Sequence, residues 1–589
     1  MGRLQSQVGC TAPRGHTSLP IIEAEVNCDH RARALVCVAI VLALLQTNTP
    51  ALAVDPNGFP LCTASGDQIS PVIVSDGVGG VIVAWHDHRP TVAAGGVTFA
   101  QRVNTAEVPQ WTANGVALST TGDPGNSTAA RPAEPAIVAD GASGAFVAYG
   151  GGSAPPRVQW VNAAGIPQWG SDGVQLSLDA QARDLAIGRD LNGAGGAIVA
   201  WRQDNGSSGL SDIYAQKVSA AGVTQWGPTG RAVTSSGTNG ETLPSLISDG
   251  AGGVILVWFL GGGGVRARRL DASGSFLWST PTNVSSFSNA NPPATVSDGS
   301  GGIVIAWSGG GGNGILVQRL DLNGNKQWGS NGVPIANGGN YVTMIGDGAG
   351  GATLTWQDFR SGTNYNIYAQ RMSAAGSPQW APNGAEVCFE TDDQVYPAIA
   401  SDGGTGAIIT WFDGRFNPTG DDIYAQRIEA TAGAQQWTPN GLPLCTAANN
   451  QEYPTIAADD GGGAFVTWQD HRGTDYDIYL HRINPNGAIL SVPPSEAGPM
   501  ARGRAWPNPF FDRVQMAFVV PAAIPVQMEV LDIRGRRVWE SGTTPLTAGT
   551  HVLAWDGRTS NGRQAADGIY FLRVKGPGLA ASRSVVRLK

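Results

Sequence analysis

Residues 401–441 read SDGGTGAIITWFDGRFNPTGDDIYAQRIEATAGAQQWTPNG, and most of the chain is built from copies of this unit. An Asp402-Gly403 turn leads into an apolar run that closes on Trp411. A polar W-x-D-x-R loop follows, carrying Asp413 and Arg415. The run Asp422-Ile423-Tyr424-Ala425-Gln426-Arg427-Ile428 comes next, then a Gly-bearing turn, Gln436-Trp437 and Asn440-Gly441. Asp-Gly and Asn-Gly between short β-rich runs mark hairpins, because these residues tolerate positive φ. The unit recurs eight times, its first-turn aspartate falling at Asp76, Asp140, Asp190, Asp249, Asp298, Asp347, Asp402 and Asp459. The spacing is about 55 residues, a period that belongs to solenoids, propellers or arrays.

Four short strands fit into one repeat. In the sixth, the pattern predicts strand a near 341–345, strand b over 351–356, strand c over 366–372, and strand d from Gln379 past Asn383-Gly384. Tryptophan gives the register independently. Trp85, Trp201, Trp258, Trp307, Trp356, Trp411 and Trp468 close strand b, with Tyr149 in the remaining repeat. Trp111, Trp169, Trp226, Trp278, Trp328, Trp380 and Trp437 open strand d. Large aromatics at fixed positions fill the space between stacked sheets, so they read as core rather than as a carbohydrate-stacking set.

The two ends of the repeat region decide between an open array and a closed ring. The last repeat runs through Ile483 and Asn486-Gly487 into Leu490 without its Trp or its second Asn-Gly. The missing piece stands at the other end: residues 57–64 (NGFPLCTA) differ from 440–447 (NGLPLCTA) only at Phe59 against Leu442. A unit split between both termini is what a ring requires, since the N-terminal strand then completes the last sheet, whereas an open array exposes two edges. The expected fold is all-β: an eight-bladed β-propeller over residues 54–490, with four-stranded blades and closure by the N-terminal strand.

Composition agrees. A chain of 589 residues exceeds one ordinary core, and 82 Gly, 42% hydrophobic and 14% charged residues point to turn-rich β structure and away from disorder. Arg31 and Arg33 precede an apolar run, 34–45, and then Ala51-Leu52-Ala53. This is the layout of a cleavable secretory signal peptide over residues 1–53, placing the mature chain outside the cytoplasm, extracellular or at the cell surface. No other stretch is long and apolar enough to span a membrane. Cys62, Cys388 and Cys445 occupy matching positions in different repeats, too far apart to bridge, and are expected as buried free thiols.

Beyond a Pro-rich linker, 491–500, the repeat vanishes. Strand-like runs at 514–520, 526–531, 536–540, 551–555, 569–574 and 582–588 read as a small β-sandwich. Trp506-Pro507-Asn508-Pro509-Phe510, then VLDIRGRRVWE, then AGTHVLAWDGRTSNGRQAADGIYFLRV, make residues 501–589 resemble the FlgD-type Ig-like domain and the related type IX secretion C-terminal sorting domain. The resemblance implies an Ig-like sandwich, with secretion machinery as a partner and export or surface attachment as its role. The repeat region resembles secreted bacterial β-propeller repeat proteins, and no enzyme family follows from it. Charge divides along the same boundary. Residues 501–589 carry thirteen basic and six acidic side chains (+7) and residues 1–53 four and three (+1), so with −9 overall the propeller is −17. Such a surface repels nucleic acid.

No G-x-S-x-G, H-E-x-x-H or phosphate-cradling motif occurs, and no catalytic residue, metal or cofactor is assigned. The D-x-N-G strings at Asp55, Asp190 and Asp321 lack the further acids of a calcium loop and read as hairpin turns. One asymmetry remains. The loop after strand b reads W-x-D-x-R only in repeats one, six, seven and eight, as Asp87/Arg89, Asp358/Arg360, Asp413/Arg415 and Asp470/Arg472. Repeat three has Arg202-Gln203-Asp204 there, and repeats two, four and five carry Gly-rich loops. In a ring the four repeats are contiguous, and His86, His88 and His471 join them. Each Asp is expected to pin its own loop, with Arg bonding an acid such as Asp422 or Asp477. This loop face is the candidate binding surface. The expected function is a secreted or cell-surface, non-catalytic platform for a glycan or protein ligand. The alternative is an extracellular polysaccharide-acting enzyme, a hydrolase or lyase, using acids of the Asp87/Asp413/Asp470 sector.

Overall fold

The computed structural model describes residues 57–588, apart from 91, 93–94, 121–134, 153, 180, 193–194, 206–209, 236–239, 262, 288–290, 310–312, 416–419, 491–503, 507–509, 521–523, 534–535, 548 and 577–578. The expected signal peptide, the linker and Asp55 lie outside the described residues. All regular structure among the described residues is β, in ten antiparallel sheets. Eight are the blades. Blade 7 shows the plan: strands a (Gln394–Ser401), b (Ala407–Asp413), c (Asp422–Ile428) and d (Leu442–Cys445) pair in that order. Strand b is buried along nearly its whole length, as in Val81–Asp87 of blade 1, because both faces of each sheet pack on a neighbour. The innermost a strands touch their neighbours at all eight junctions, including Gln451–Ala458 of blade 8 against Gln68–Ser75 of blade 1.

Closure follows the expected route. Phe59–Cys62 pairs antiparallel with Asp477–Ile483 of blade 8, bringing Phe59 opposite Leu480 and Cys62 opposite Ile478. A short strand, Ile489–Leu490, pairs with the same c strand. Phe59, Leu61 and Cys62 are buried with Val83, Trp85 and Phe99 of blade 1 and Phe465, Ile478 and Leu480 of blade 8. The seam is also hydrogen-bonded: Gln68 N donates to Tyr476 O at 2.7 Å, and Ser70 N to Gln469 Oε1 at 3.0 Å.

Strand d begins later than expected. In blade 6 it is Ala385–Cys388, after Asn383-Gly384, and Trp380 lies in the connection before it. The reason is a side-chain staple. The strand-c glutamine accepts the Trp backbone N–H, as in Trp380 N to Gln370 Oε1 at 2.9 Å, and its amide donates to the Ala381 carbonyl, so a turn replaces a ladder. Each of the seven turn tryptophans then reaches the next blade, its Nε1 donating to a carbonyl of that blade's c–d turn at 2.9–3.2 Å. The ring lies over a glycine of that turn; a Cβ on Gly165, at φ +79°, would stand 2.5 Å from Trp111.

The eighth junction has no such tryptophan, since that piece of the repeat was lost in splitting the blade. Its turn, in blade 1, carries Glu107 where the others have glycine, at φ 56° and 1% exposed. Glu107 Oε1 accepts Arg482 N at 2.6 Å and lies 3.9 Å from His481 Nδ1. His481 stands where six other blades have the stapling glutamine and blade 4 has Arg268. Elsewhere that glutamine accepts the same backbone donor, as in Arg427 N to Gln426 Oε1. The blade-1 carboxylate thus fills the vacated slot and takes over the lost acceptor.

The C-terminal region forms two further sheets, one of Arg504–Trp506, Val514–Val520 and Gly549–Trp555, the other centred on Ile524–Asp532 and Gly568–Gly576. Phe510, Met516, Met528, Trp555 and Leu572 are among the residues fully buried between them, the core of an Ig-like sandwich.

Two outcomes test the seam. Removing residues 57–64 strips strand c of blade 8 of its outer partner over 478–480 and should lower the melting temperature of the whole propeller in one cooperative step, whereas an open array would keep its main transition. Glu107→Ala should cost about 1–3 kcal/mol in denaturant unfolding, because the Arg482 N–H is left buried without an acceptor.

Candidate functional site

Each W-x-D-x-R aspartate is the last residue of a b strand, two positions after the Trp. Residues i and i+2 share a face of a strand, so the carboxylate lies beside the indole. Oδ2 accepts Nε1 of Trp85, Trp356, Trp411 and Trp468 for Asp87, Asp358, Asp413 and Asp470, at 2.9, 3.2, 2.7 and 2.9 Å. Oδ1 accepts the backbone N–H of Arg89, Arg360, Arg415 and Arg472 at 2.9–3.0 Å, which fixes the loop. The guanidinium folds back on its own aspartate, and the four carboxylates are at most 1% exposed.

The pairing partner therefore differs from the expected Asp422 or Asp477. Those acids stand directly across the sheet from Asp413 and Asp470, acid opposite acid. Burial, and next the facing Asp413, push the Asp422 carboxyl up to about 7; burial and Asp470 do the same to Asp477.

In blades 1, 7 and 8 the arginine also ties neighbouring blades together. Nη2 donates to the carbonyls of Asn114, Asn440 and Asn57 at 2.6–2.9 Å and lies 3.0–3.5 Å from Cys62, Cys388 and Cys445 Sγ, each thiol coming from strand d of the preceding blade. The guanidinium faces a strand-c ring, Phe99, Tyr424 or Tyr479, at 3.8–4.1 Å. The three cysteines are free and buried, and burial pushes the Cys62 thiol up to about 12. These thiols are neutral packing groups.

Blade 6 departs from this plan. Its neighbour places Ala336 where the others have cysteine, pairing with Ile315 as Cys445 pairs with Ile423. Arg360 holds Asp358 and the Tyr368 ring, and among the described residues its guanidinium donates to no carbonyl. Its side chain is 31% exposed, against 9% for Arg415. It opens onto a pocket of about 370 Å³ lined by Asn337, Gly338, Gly339, Asp358, Phe359 and Asn383. Sequence reading grouped this pair with the other three; the signal it passed over was the change from cysteine to Ala336.

The structure brings blades 6, 7, 8 and 1 together as one sector. His86 is buried with Nε2 3.1 Å from Gly95 O, and burial together with His88, 4.6 Å away, pulls it down to about 4. His471 stacks on Tyr476 at 4.5 Å. In blade 3, Arg202 binds Asp204 and Asp184, while Gln203 accepts Trp201 Nε1. Asp190 and Asp321 each accept backbone N–H groups of their own turns. Among the described residues no group of three His, Cys, Asp or Glu could hold a metal ion, and no helix is long and apolar enough to cross a membrane.

Comparison with known proteins places a FlgD Ig-like domain at residues 511–578. No curated protein matches the chain. Among solved structures, PorZ, a surface component of the type IX secretion system of Porphyromonas gingivalis, is similar at 14% identity and TM-score 0.32, over 90% of this chain and 71% of that one. A lectin from Burkholderia pseudomallei aligns at 14% identity and TM-score 0.41, over 61% of this chain and 99% of its own. An exo-β-1,3-galactanase from Phanerochaete chrysosporium aligns at 12% and 0.26, over 65% and 93%. Likenesses this distant carry no argument about activity.

The raised acids generate a pH dependence. A carboxyl whose folded pKa exceeds its unfolded value stabilises the fold below the unfolded value of 3.8, and that contribution is lost as pH rises through about 7. The Asp422→Asn/Asp477→Asn double variant should therefore gain stability relative to the parent as pH rises from 3.8 to about 7, read as a difference in melting temperature that grows over this range and levels off above it.

Proposed function

We propose that this chain is an exported, non-catalytic binding platform displayed at the cell surface. In this reading residues 1–53 are a cleaved leader, the propeller of 54–490 presents the ligand face, 491–500 is a linker, and the Ig-like module of 501–589 serves export or attachment. The observation that carries it is the fate of the sector's acids. A general acid or base must reach its substrate, and Asp87, Asp358, Asp413 and Asp470 are enclosed by an indole, a backbone N–H and their own guanidiniums. The most exposed of the four guanidiniums is that of Arg360, at a pocket lined by Asn337, Gly338, Gly339 and Asn383. Such a site suits an anionic group, a carboxylate on a glycan or an acidic side chain of a protein.

One observation favours an enzyme instead: Asp477 is partly exposed, and burial with the facing Asp470 pushes its carboxyl up to about 7, the range of a general acid on polysaccharide.

A glycan array and a polysaccharide-hydrolysis panel on the purified chain separate the two. Binding without turnover, concentrated on uronate-bearing or other acidic ligands and weakened about tenfold or more by Arg360→Gln at unchanged melting temperature, is the expected outcome. Hydrolysis abolished by Asp477→Asn would establish the enzyme reading and overturn the platform.

A further inference from the structure

The innermost strands carry a strain that the loop face does not explain. Six of them hold a non-glycine residue in the left-handed region at one equivalent place: Ser70, Asp184, Leu243, Tyr341, Tyr396 and Tyr453, with φ between 51° and 54°. Each coincides with a break in the a–b register. Such bulges re-aim a side chain, and left-handed backbone is costly at a residue that is not glycine, most of all for a bulky one. The bulges are held across blades where a partner exists, Tyr396 N donating to Gln357 Oε1 of blade 6 at 2.8 Å.

Tyrosine occupies this place in three consecutive blades, 6, 7 and 8. Tyr341 and Tyr396 lie 4.5 Å apart between ring centres, and Tyr396 and Tyr453 lie 5.4 Å apart; Phe412 backs Tyr396 at 5.2 Å, nearly parallel. The Tyr396 and Tyr341 hydroxyls are 3.4 Å apart. Together with Pro292, Pro397 and Pro454 they line a pocket of about 220 Å³ among the a strands.

We propose that this axial pocket binds a single sugar ring of a neutral glycan. The partly exposed rings form a continuous wall for the apolar face of a pyranose, and tyrosine and threonine hydroxyls stand beside it. Among the described residues no charged side chain lines it, which disfavours an acid; ring faces alone also attract a quaternary ammonium, and the hydroxyls beside them favour the sugar. Its volume of about 220 Å³ suits one ring rather than an extended polyproline strand, which advances about 3.1 Å per residue. The site is separate from the Arg360 pocket, so either can fail alone.

The test uses the full chain, titrated with glucose, galactose, mannose and N-acetylglucosamine and followed by calorimetry and by saturation transfer from protein to sugar protons. Saturable binding of at least one of them is expected, weakened about tenfold by Tyr453→Ala and unchanged by Arg360→Gln. Should Tyr453→Ala fail to fold, Ala398→Phe, which fills the pocket and keeps the rings, is expected to abolish binding. The proposal is overturned if none of the four sugars binds saturably, if binding survives a folded Tyr453→Ala or Ala398→Phe, or if tetramethylammonium or a polyproline peptide occupies the pocket in their place.

Discussion

A sheet whose two faces are both apolar needs a neighbour on each side, and that requirement organises the repeat region. Burial of strand b along its whole length leaves no face for solvent, so a first or last blade standing alone would expose a hydrophobic surface as well as an edge. Only a ring satisfies every blade. Splitting one blade between the termini lets backbone pairing hold the ring shut, as Phe59–Cys62 does on Asp477–Ile483. The split has a cost at the same junction, because the turn tryptophan that locks every other pair of blades is lost. Glu107 and His481 are the local answer, a carboxylate from blade 1 standing in for an indole and an amide from blade 8.

A second constraint shapes the loop face. The indole N–H of a buried Trp needs an acceptor. In blades 1, 6, 7 and 8 the acceptor is a carboxylate, which in turn needs a cation, because an unpaired buried charge is costly. Arginine serves better than lysine would, since its planar fork meets both carboxylate oxygens and still stacks on a ring. What looked in one dimension like a row of reactive groups is thus largely a row of blade clamps. Function is more readily sought where the clamp is incomplete, at Arg360, and where the backbone is held in a costly conformation, at the axial tyrosines.

Repeat number, strand count, ring closure and the buried free thiols were all legible in the chain, because each rests on local patterns: turn residues, period-2 apolar runs, and the near-identity of 57–64 with 440–447. The Ig-like end was legible for the same reason, through ordered motifs. The start of strand d was misplaced because a side-chain staple from Gln370, ten residues earlier, converts an apparent strand into a turn. The site was legible as a place and not as a mechanism. Spacing alone identified the four Asp/Arg pairs and the contiguity of their blades. Whether a guanidinium turns to its own aspartate or to Asp422 depends on cross-strand register, and whether it is enclosed or open depends on a thiol or a methyl supplied by the adjacent blade. The first choice is made by the pairing of two strands and the second by atoms more than twenty residues away, so only the tertiary structure decides them.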